Sequence, residues 1–186
     1  MKRIWIDTET TGTDPDKHDI WQLAGIIETD TEEQEFDFKM KPINMESVDK
    51  EALEVGGVTM EQLAGFPDAR MVLTDFSMLL SRYVSPYNRQ DKFTIYGFNV
   101  RFDEDMLRAW WRKCGNKFYG SYFWWPSVDV AQLAHVHLMD NEKRQVMPNF
   151  KLGTVATVMG IAIEDRLHDA MTDIRLTKSI FQKISG

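Results

Sequence analysis

The first 41 residues constrain the fold more than any other stretch, because they contain three extended runs with hardly a break between them. Lys2 to Thr8 alternates and ends in carboxylates. Ile20 to Thr29 and Glu35 to Lys41 follow, the last setting Phe36, Phe38 and Met40 against charged residues. A side-chain period of two marks a strand, and three such runs in succession predict a meander. After Pro42 the spacing turns helical: Met45 to Val55 carries Val48, Ala52 and Val55, a short Met60 to Leu63 turn follows, and Val72, Phe76, Leu79, Leu80 and Tyr83 share one stripe. The polar run from Asn88 to Lys92 closes that helix. Phe93 to Phe98 reads as a buried strand leading into a helix from about Asp103 to Cys114, and Val128 to His137 as a strand or strand-to-helix turn. Asn149 to Val158 and Asp169 to Ile184 are the final helices, the first ended by Gly160. Strands in a block and then strand–helix alternation predict an α/β domain with a mixed sheet. No repeat, low-complexity tract or linker interrupts the chain, so one domain over residues 1–186 is expected.

At 186 residues, one core can bury roughly 70% of the extended-chain surface, so disulfide staples are not needed. The 22 Lys+Arg against 29 Asp+Glu leave a net charge of −7. That balance speaks against a sequence-independent duplex coater, which binds by releasing counterions from phosphates, but not against nucleic acid held in a local site. The single cysteine, Cys114, cannot form an internal disulfide, which fits a reducing compartment. Ile4-Trp5-Ile6 is far too short for a signal peptide, and no apolar run is long enough to span a membrane. A cytoplasmic protein without membrane contact is expected.

Asp7-Thr8-Glu9 is the sharpest chemical feature. In a strand, positions i and i+2 share a face about 7 Å apart, so both carboxylates enter one pocket. Beside the apolar Ile4-Trp5-Ile6 they repel and desolvate each other unless a cation sits between them. Thr10-Thr11-Gly12 then supplies a turn. Asp103 stands where the buried Thr94-Ile95-Tyr96 strand hands over to a helix, the end of a sheet where ligands gather; the alternative is that it caps that helix. Asp105, two residues on, is expected to pair with Arg108 or face solvent. In His168-Asp169-Ala170-Met171-Thr172-Asp173, Asp169 is the expected N-cap, and one element offers both a base and a carboxylate. Four carboxylates are hard oxygen ligands suited to Mg²⁺ or Mn²⁺ rather than zinc.

These three segments resemble, in order, the three motifs of the DEDDh (DnaQ-like) 3′ to 5′ exonucleases. The wording is most similar to the nuclease domain of bacterial exonuclease I in Glu9-Thr10-x-Gly12-Thr13-x-Pro15, in Asn99-Val100-Arg101-Phe102-Asp103, and in Pro148-x-Phe150-x-Leu152 before His168-Asp169-Ala170-Met171-x-Asp173. The resemblance implies an RNase H-like fold, with a mixed sheet of about five strands flanked by helices. It implies two Mg²⁺ (or Mn²⁺) ions held by Asp7, Glu9, Asp103 and Asp173, with His168 as general base. It also implies substrate contacts from Thr10, Thr11, Asn99 and Phe102, and release of 5′-mononucleotides from the 3′ end of single-stranded nucleic acid. DNA is the expected substrate. RNA, as in oligoribonuclease or ribonuclease T, is the alternative, and a non-catalytic adaptor that kept the fold is the reading of a different class. Many family members carry His before the Asn of the second motif, where this chain has Phe98. The chain stops at Gly186, short of the further domains of exonuclease I, so low processivity is expected.

Phe118 to Trp125 places six aromatics in eight positions, either a stacking platform for bases or core. Arg101, Arg108, Arg112 and Lys113 could track a phosphate backbone, or form a salt-bridged solvated face through Glu104–Arg108 spacing. His135 and His137 have metal-like spacing but no nearby ligands. Gln62-Leu63-Ala64-Gly65-Phe66, faintly like a sliding-clamp-binding peptide, is read as part of the fold, and Asp129 as orienting a loop.

Overall fold

The computed structural model describes residues 2–139, 142–145, 147–163 and 169–186. β1 (Arg3–Thr10), β2 (Ile20–Glu28) and β3 (Glu33–Lys39) form the expected antiparallel meander. Three helices follow, α1 (Lys50–Gly56), α2 (Met60–Gly65) and α3 (Ala69–Ser81). β4 (Thr94–Gly97) then returns to pair parallel with β1, and α4 (Val100–Lys113) leads to the two-residue β5 (Val128–Asp129), parallel to β4. The chain ends with α5 (Val130–Leu138), α6 (Glu142–Gln145), α7 (Leu152–Val158) and α8 (Ala170–Ser185). The sheet order is β3-β2-β1-β4-β5, a mixed sheet of five strands as expected.

Alternation along β1 divides the core. Ile4 and Ile6 pack on one face with Phe76 of α3 and Leu107 and Trp110 of α4. Trp5 faces the other way, among Val130 and Ala134 of α5, Val155 of α7 and Ile174 and Ile180 of α8. β2 is buried from Ile20 through Ile27, as a strand covered on both faces must be. Tight passage needs Gly25, where a Cβ would stand 2.2 Å from the Phe36 ring and 2.5 Å from the Trp5 carbonyl oxygen.

Element limits differ where polar side chains compete for the backbone. The expected Met45–Val55 helix splits into a 3₁₀ turn at Met45–Ser47 and α1, because Asp49 takes the N-cap and accepts from the Glu51 N–H. Val55 is therefore 51% exposed, while Val48 and Leu53 pack on Trp21 and Leu63. α4 begins at Val100 rather than Asp103, and its N-cap is Asn99 in the left-handed region (φ 58°), which asparagine tolerates. Tyr83 lies beyond the end of α3, and α7 starts at Leu152 rather than Asn149. β1 runs two residues past Thr8 and shifts register between Glu9 and Thr10, so Thr10 belongs to the strand and not to the turn.

Candidate active site

β1 delivers its acids by parity. Asp7 and Glu9 alternate onto the same face as Trp5, the face covered by α8, while Thr8 points with Ile4 and Ile6 toward α4. Asp103 is 3% exposed and meets Thr8 twice: its Oδ1 accepts from the Thr8 N–H at 2.9 Å and from the Thr8 hydroxyl at 2.7 Å. Asn99 occupies the N-cap position without a side-chain cap hydrogen bond, and Asp103, in the first turn of α4, is tied to the strand that carries the first two acids. Asp173 lies in the first turn of α8 with Oδ1 buried, and Asp169 is the N-cap, accepting from the Thr172 N–H at 3.2 Å. Acids from β1, α4 and α8 thus gather at one end of the sheet.

Burial and mutual repulsion raise these acids together. Burial, then Asp173, Asp103 and Asp169, push Glu9 up to about 8. Asp7 is raised well above the usual carboxylate range by burial and then by Asp103, Asp173, Glu9 and Asp169. Burial lifts Asp103 to about 7 against the downward pull of the two Thr8 hydrogen bonds, and Asp129 pushes in the same direction as burial. The leading influences on Asp7 and Glu9 are all upward, the mark of negative charge crowded without a compensating cation. Hard carboxylate oxygens in that condition are a donor set that fits Mg²⁺ or Mn²⁺. Among the described residues, no three His, Cys, Asp or Glu side chains are drawn up tightly enough around one point to hold an ion as they stand.

The Thr10 hydroxyl, another expected substrate contact, donates to the Gly12 carbonyl at 2.8 Å. Thr11 is fully buried, with its hydroxyl turned inward to accept from the Asp19 N–H at 2.9 Å, so it offers a substrate no exposed side chain. Asn99 is exposed, and its N–H donates to Asp129 Oδ1 at 3.0 Å. Phe102 packs partly buried against the α3–α4 core. Asp129 also caps α5 through the Ala131 N–H at 2.9 Å, the orienting role read from the sequence. His168 lies outside the described residues.

Sequence reasoning missed a cavity of about 220 Å³ beside the acids, lined among others by Trp21, Gln22, Gly56, Val58, Phe66 and Asp169. Gln22 opposes Glu9 in the β1–β2 ladder, which places this cavity against the acid cluster. Trp21 stacks on Phe66 at 6.4 Å, and its indole N–H, buried, has no acceptor. In sequence Trp21, Val58 and Phe66 are indistinguishable from core.

The four candidate phosphate contacts all hold acids: Arg101 with Asp105 at 3.1 Å, Arg108 with Glu104 at 3.4 Å, Lys113 with Asp19 at 2.7 Å, and Arg112 with Asp16. Asp105 therefore pairs one turn back with Arg101 and not with Arg108. Tyr119, Tyr122 and Phe123 are core, whereas Phe118, Trp124 and Trp125 are exposed. His135 and His137 lie exposed on α5, His135 edge-on to the Phe150 ring. Gln62 completes a capping box with Thr59, and Leu63 is fully buried, so the 62–66 segment belongs to the fold.

The sequence model of the RNase_T exonuclease family matches residues 4–181. No curated protein sequence matches the chain. Among solved structures, an exonuclease I studied for how processivity is achieved superposes with a TM-score of 0.76 at 21% identity, over 99% of this chain and 40% of that one. E. coli exonuclease I in complex with a dT13 oligonucleotide gives 0.74 at 20%, over 98% and 40%. The moderately thermophilic enzyme of Methylocaldum szegediense gives 0.74 at 21%, over 98% and 40%. At these identities the likeness is one of fold, the RNase H-like fold, and the chain spans about 40% of the length of those exonuclease I chains.

Proposed function

Because this chain belongs to the RNase_T exonuclease family, within the DEDDh (DnaQ-like) superfamily, we propose that residues 1–186 form a single metal-dependent exonuclease domain. It removes 5′-mononucleotides from the 3′ end of single-stranded DNA. The observation that carries this reading is the acid cluster: Glu9 is pushed up to about 8 by burial and by three aspartates that reach it from α4 and α8. Two Mg²⁺ (or Mn²⁺) ions held by Asp7, Glu9, Asp103 and Asp173 would supply charge stabilisation to the attacking and leaving oxygens of an in-line displacement.

The chain's own residues do the rest. Thr8 fixes the Asp103 carboxylate through two hydrogen bonds, so that its second oxygen is left for the site. His168 takes the proton of the attacking water through its imidazole. Asn99 and Phe102, at the start of α4, and Thr10, at the end of β1, flank the acids as substrate contacts. The cavity of Trp21, Gln22 and Phe66 beside Glu9 offers an aromatic wall to the terminal nucleotide. Complexes of exonuclease I with dT13 and dA16 favour DNA over RNA as the substrate. No helix among the described residues is long and apolar enough to cross a membrane, and the single cysteine accords with work in the cytoplasm.

Incubating the protein with a 5′-labelled single DNA strand and Mg²⁺, beside a matched RNA strand, is expected to give a ladder that EDTA abolishes, faster on DNA. An intact strand, with the protein indistinguishable from Asp7→Ala, overturns the reading.

A further inference from the structure

α4 starts at the acids and runs away from them. At 1.5 Å per residue, Arg108 and Arg112 stand about 7 and about 13 Å farther along its axis than Asp103. Together with Trp111 and, from the following loop, Lys117 and Tyr119, they line an open cavity of about 440 Å³. Its charged lining residues are all basic. The Arg108 guanidinium lies 4.3 Å from the centroid of the Tyr119 ring. Trp111, 1% exposed, carries an indole N–H without an acceptor. Each arginine of this wall has one acid partner: the buried Glu104 lies 3.4 Å from Arg108, and the Arg112–Asp16 pair is 65% and 77% exposed, where ion pairs contribute little.

The face continues beyond the basic wall. At its rim the Gly120 carbonyl accepts from the Lys92 ammonium, which also lies 5.5 Å from the centroid of the Trp124 ring. Trp124 is 41% exposed, Phe118 67% and Trp125 79%, three large aromatics left in water within eight residues. Basic side chains beside exposed aromatic faces are the combination that holds single-stranded nucleic acid, cations on the backbone and rings under the bases. An acidic protein segment would match the charge but leave the three aromatic faces unused.

We propose that this face is a second nucleic-acid contact, which holds the single strand upstream of the 3′ end through Arg108, Arg112 and Lys117 on phosphates and through Phe118, Trp124 and Trp125 on bases. The proposal rests on the reading that the acids hold the 3′ end. It makes grip depend on length: a tetranucleotide reaches the acids and the near end of this face, whereas a twenty-nucleotide strand also covers Lys117 and the aromatics.

Anisotropy of 5′-fluorescein dT20 and dT4, measured in Mg²⁺ on an Asp173→Asn background expected to lack turnover, tests it without catalysis. Trp125→Ala is expected to weaken dT20 binding about tenfold, the scale of one lost base stack. Lys117→Gln is expected to lower the salt slope for dT20 by about 0.7, the response to one lost phosphate contact on a single strand. The dT20-to-dT4 affinity ratio falls in both variants. An unchanged ratio overturns the proposal, as does a hexaglutamate peptide whose binding depends on Lys117 while that of dT20 does not. Failure of the unaltered protein to shorten dT4 in Mg²⁺ would instead count against the reading of the acid site, leaving dT20 binding to judge this face separately.

Discussion

A glutamate pushed up to about 8 is mostly protonated at pH 7, and Glu9 owes that state first to burial and then to Asp173, Asp103 and Asp169. Glu9→Gln removes the charge while keeping the shape. In EDTA at pH 8 this variant is expected to melt about 3 °C above the unaltered protein, the response to roughly 1 kcal/mol in a chain of this size, while losing turnover. A lower melting temperature would mark Glu9 as structural. Asp173→Asn is expected to abolish turnover with the fold intact by circular dichroism. Thr8 acts on the same cluster from behind. Thr8→Val keeps the β-branched shape but removes the hydroxyl that reaches Asp103 at 2.7 Å, and is expected to destabilise by about 1–3 kcal/mol in urea unfolding, the range for a buried hydrogen bond to a group that can carry charge.

At the scale of elements, the site depends on how three of them end. β1 overruns into a register shift that carries Glu9, α4 starts one turn before Asp103, and α5 starts on Asp129. Asp129 joins two of these, capping α5 through the Ala131 N–H and holding the Asn99 N–H at the entrance to α4. Asp129→Ala is expected to cost about 1 kcal/mol in thermal unfolding, the loss of an N-cap, and to reduce turnover by displacing Asn99. Asp129→Asn, which can still accept both bonds, is expected to restore stability, and equal losses in the two variants would refute the capping role. The same logic explains where helix spacing misled. The 45–55 segment has helical periodicity, but Asp49 competes for the backbone and restarts the helix five residues late.

Across the whole molecule, the buried acids link metal-free stability to pH. Asp103 and Glu9 start from ordinary values of 3.8 and 4.5 and are raised to about 7 and about 8 by folding. From about pH 4 to about pH 8, therefore, the folded chain keeps protons that the unfolded chain has released, so metal-free stability falls as pH rises through that window. The melting temperature in EDTA is expected to be lower at pH 8 than at pH 5.5, with Mg²⁺ restoring more of it at pH 8. A rise with pH in EDTA would refute this account. Much of the molecule is legible in its amino-acid order alone. The meander, the strand and helix alternation and the one shared face of Asp7 and Glu9 follow from periods of two and 3.6, which depend only on local backbone geometry. The order of the motifs marked Asp103 and Asp173 as their partners. Sequence could not place Trp21, Gln22 and Phe66 in one cavity, divide the aromatics of 118–125 between core and solvent, or pair Arg112 with Asp16, because those facts depend on which surfaces meet across long chain separations. Local periodicity says which way a side chain points along its own element; only the packing of β1 against α4 and α8 decides what it meets there.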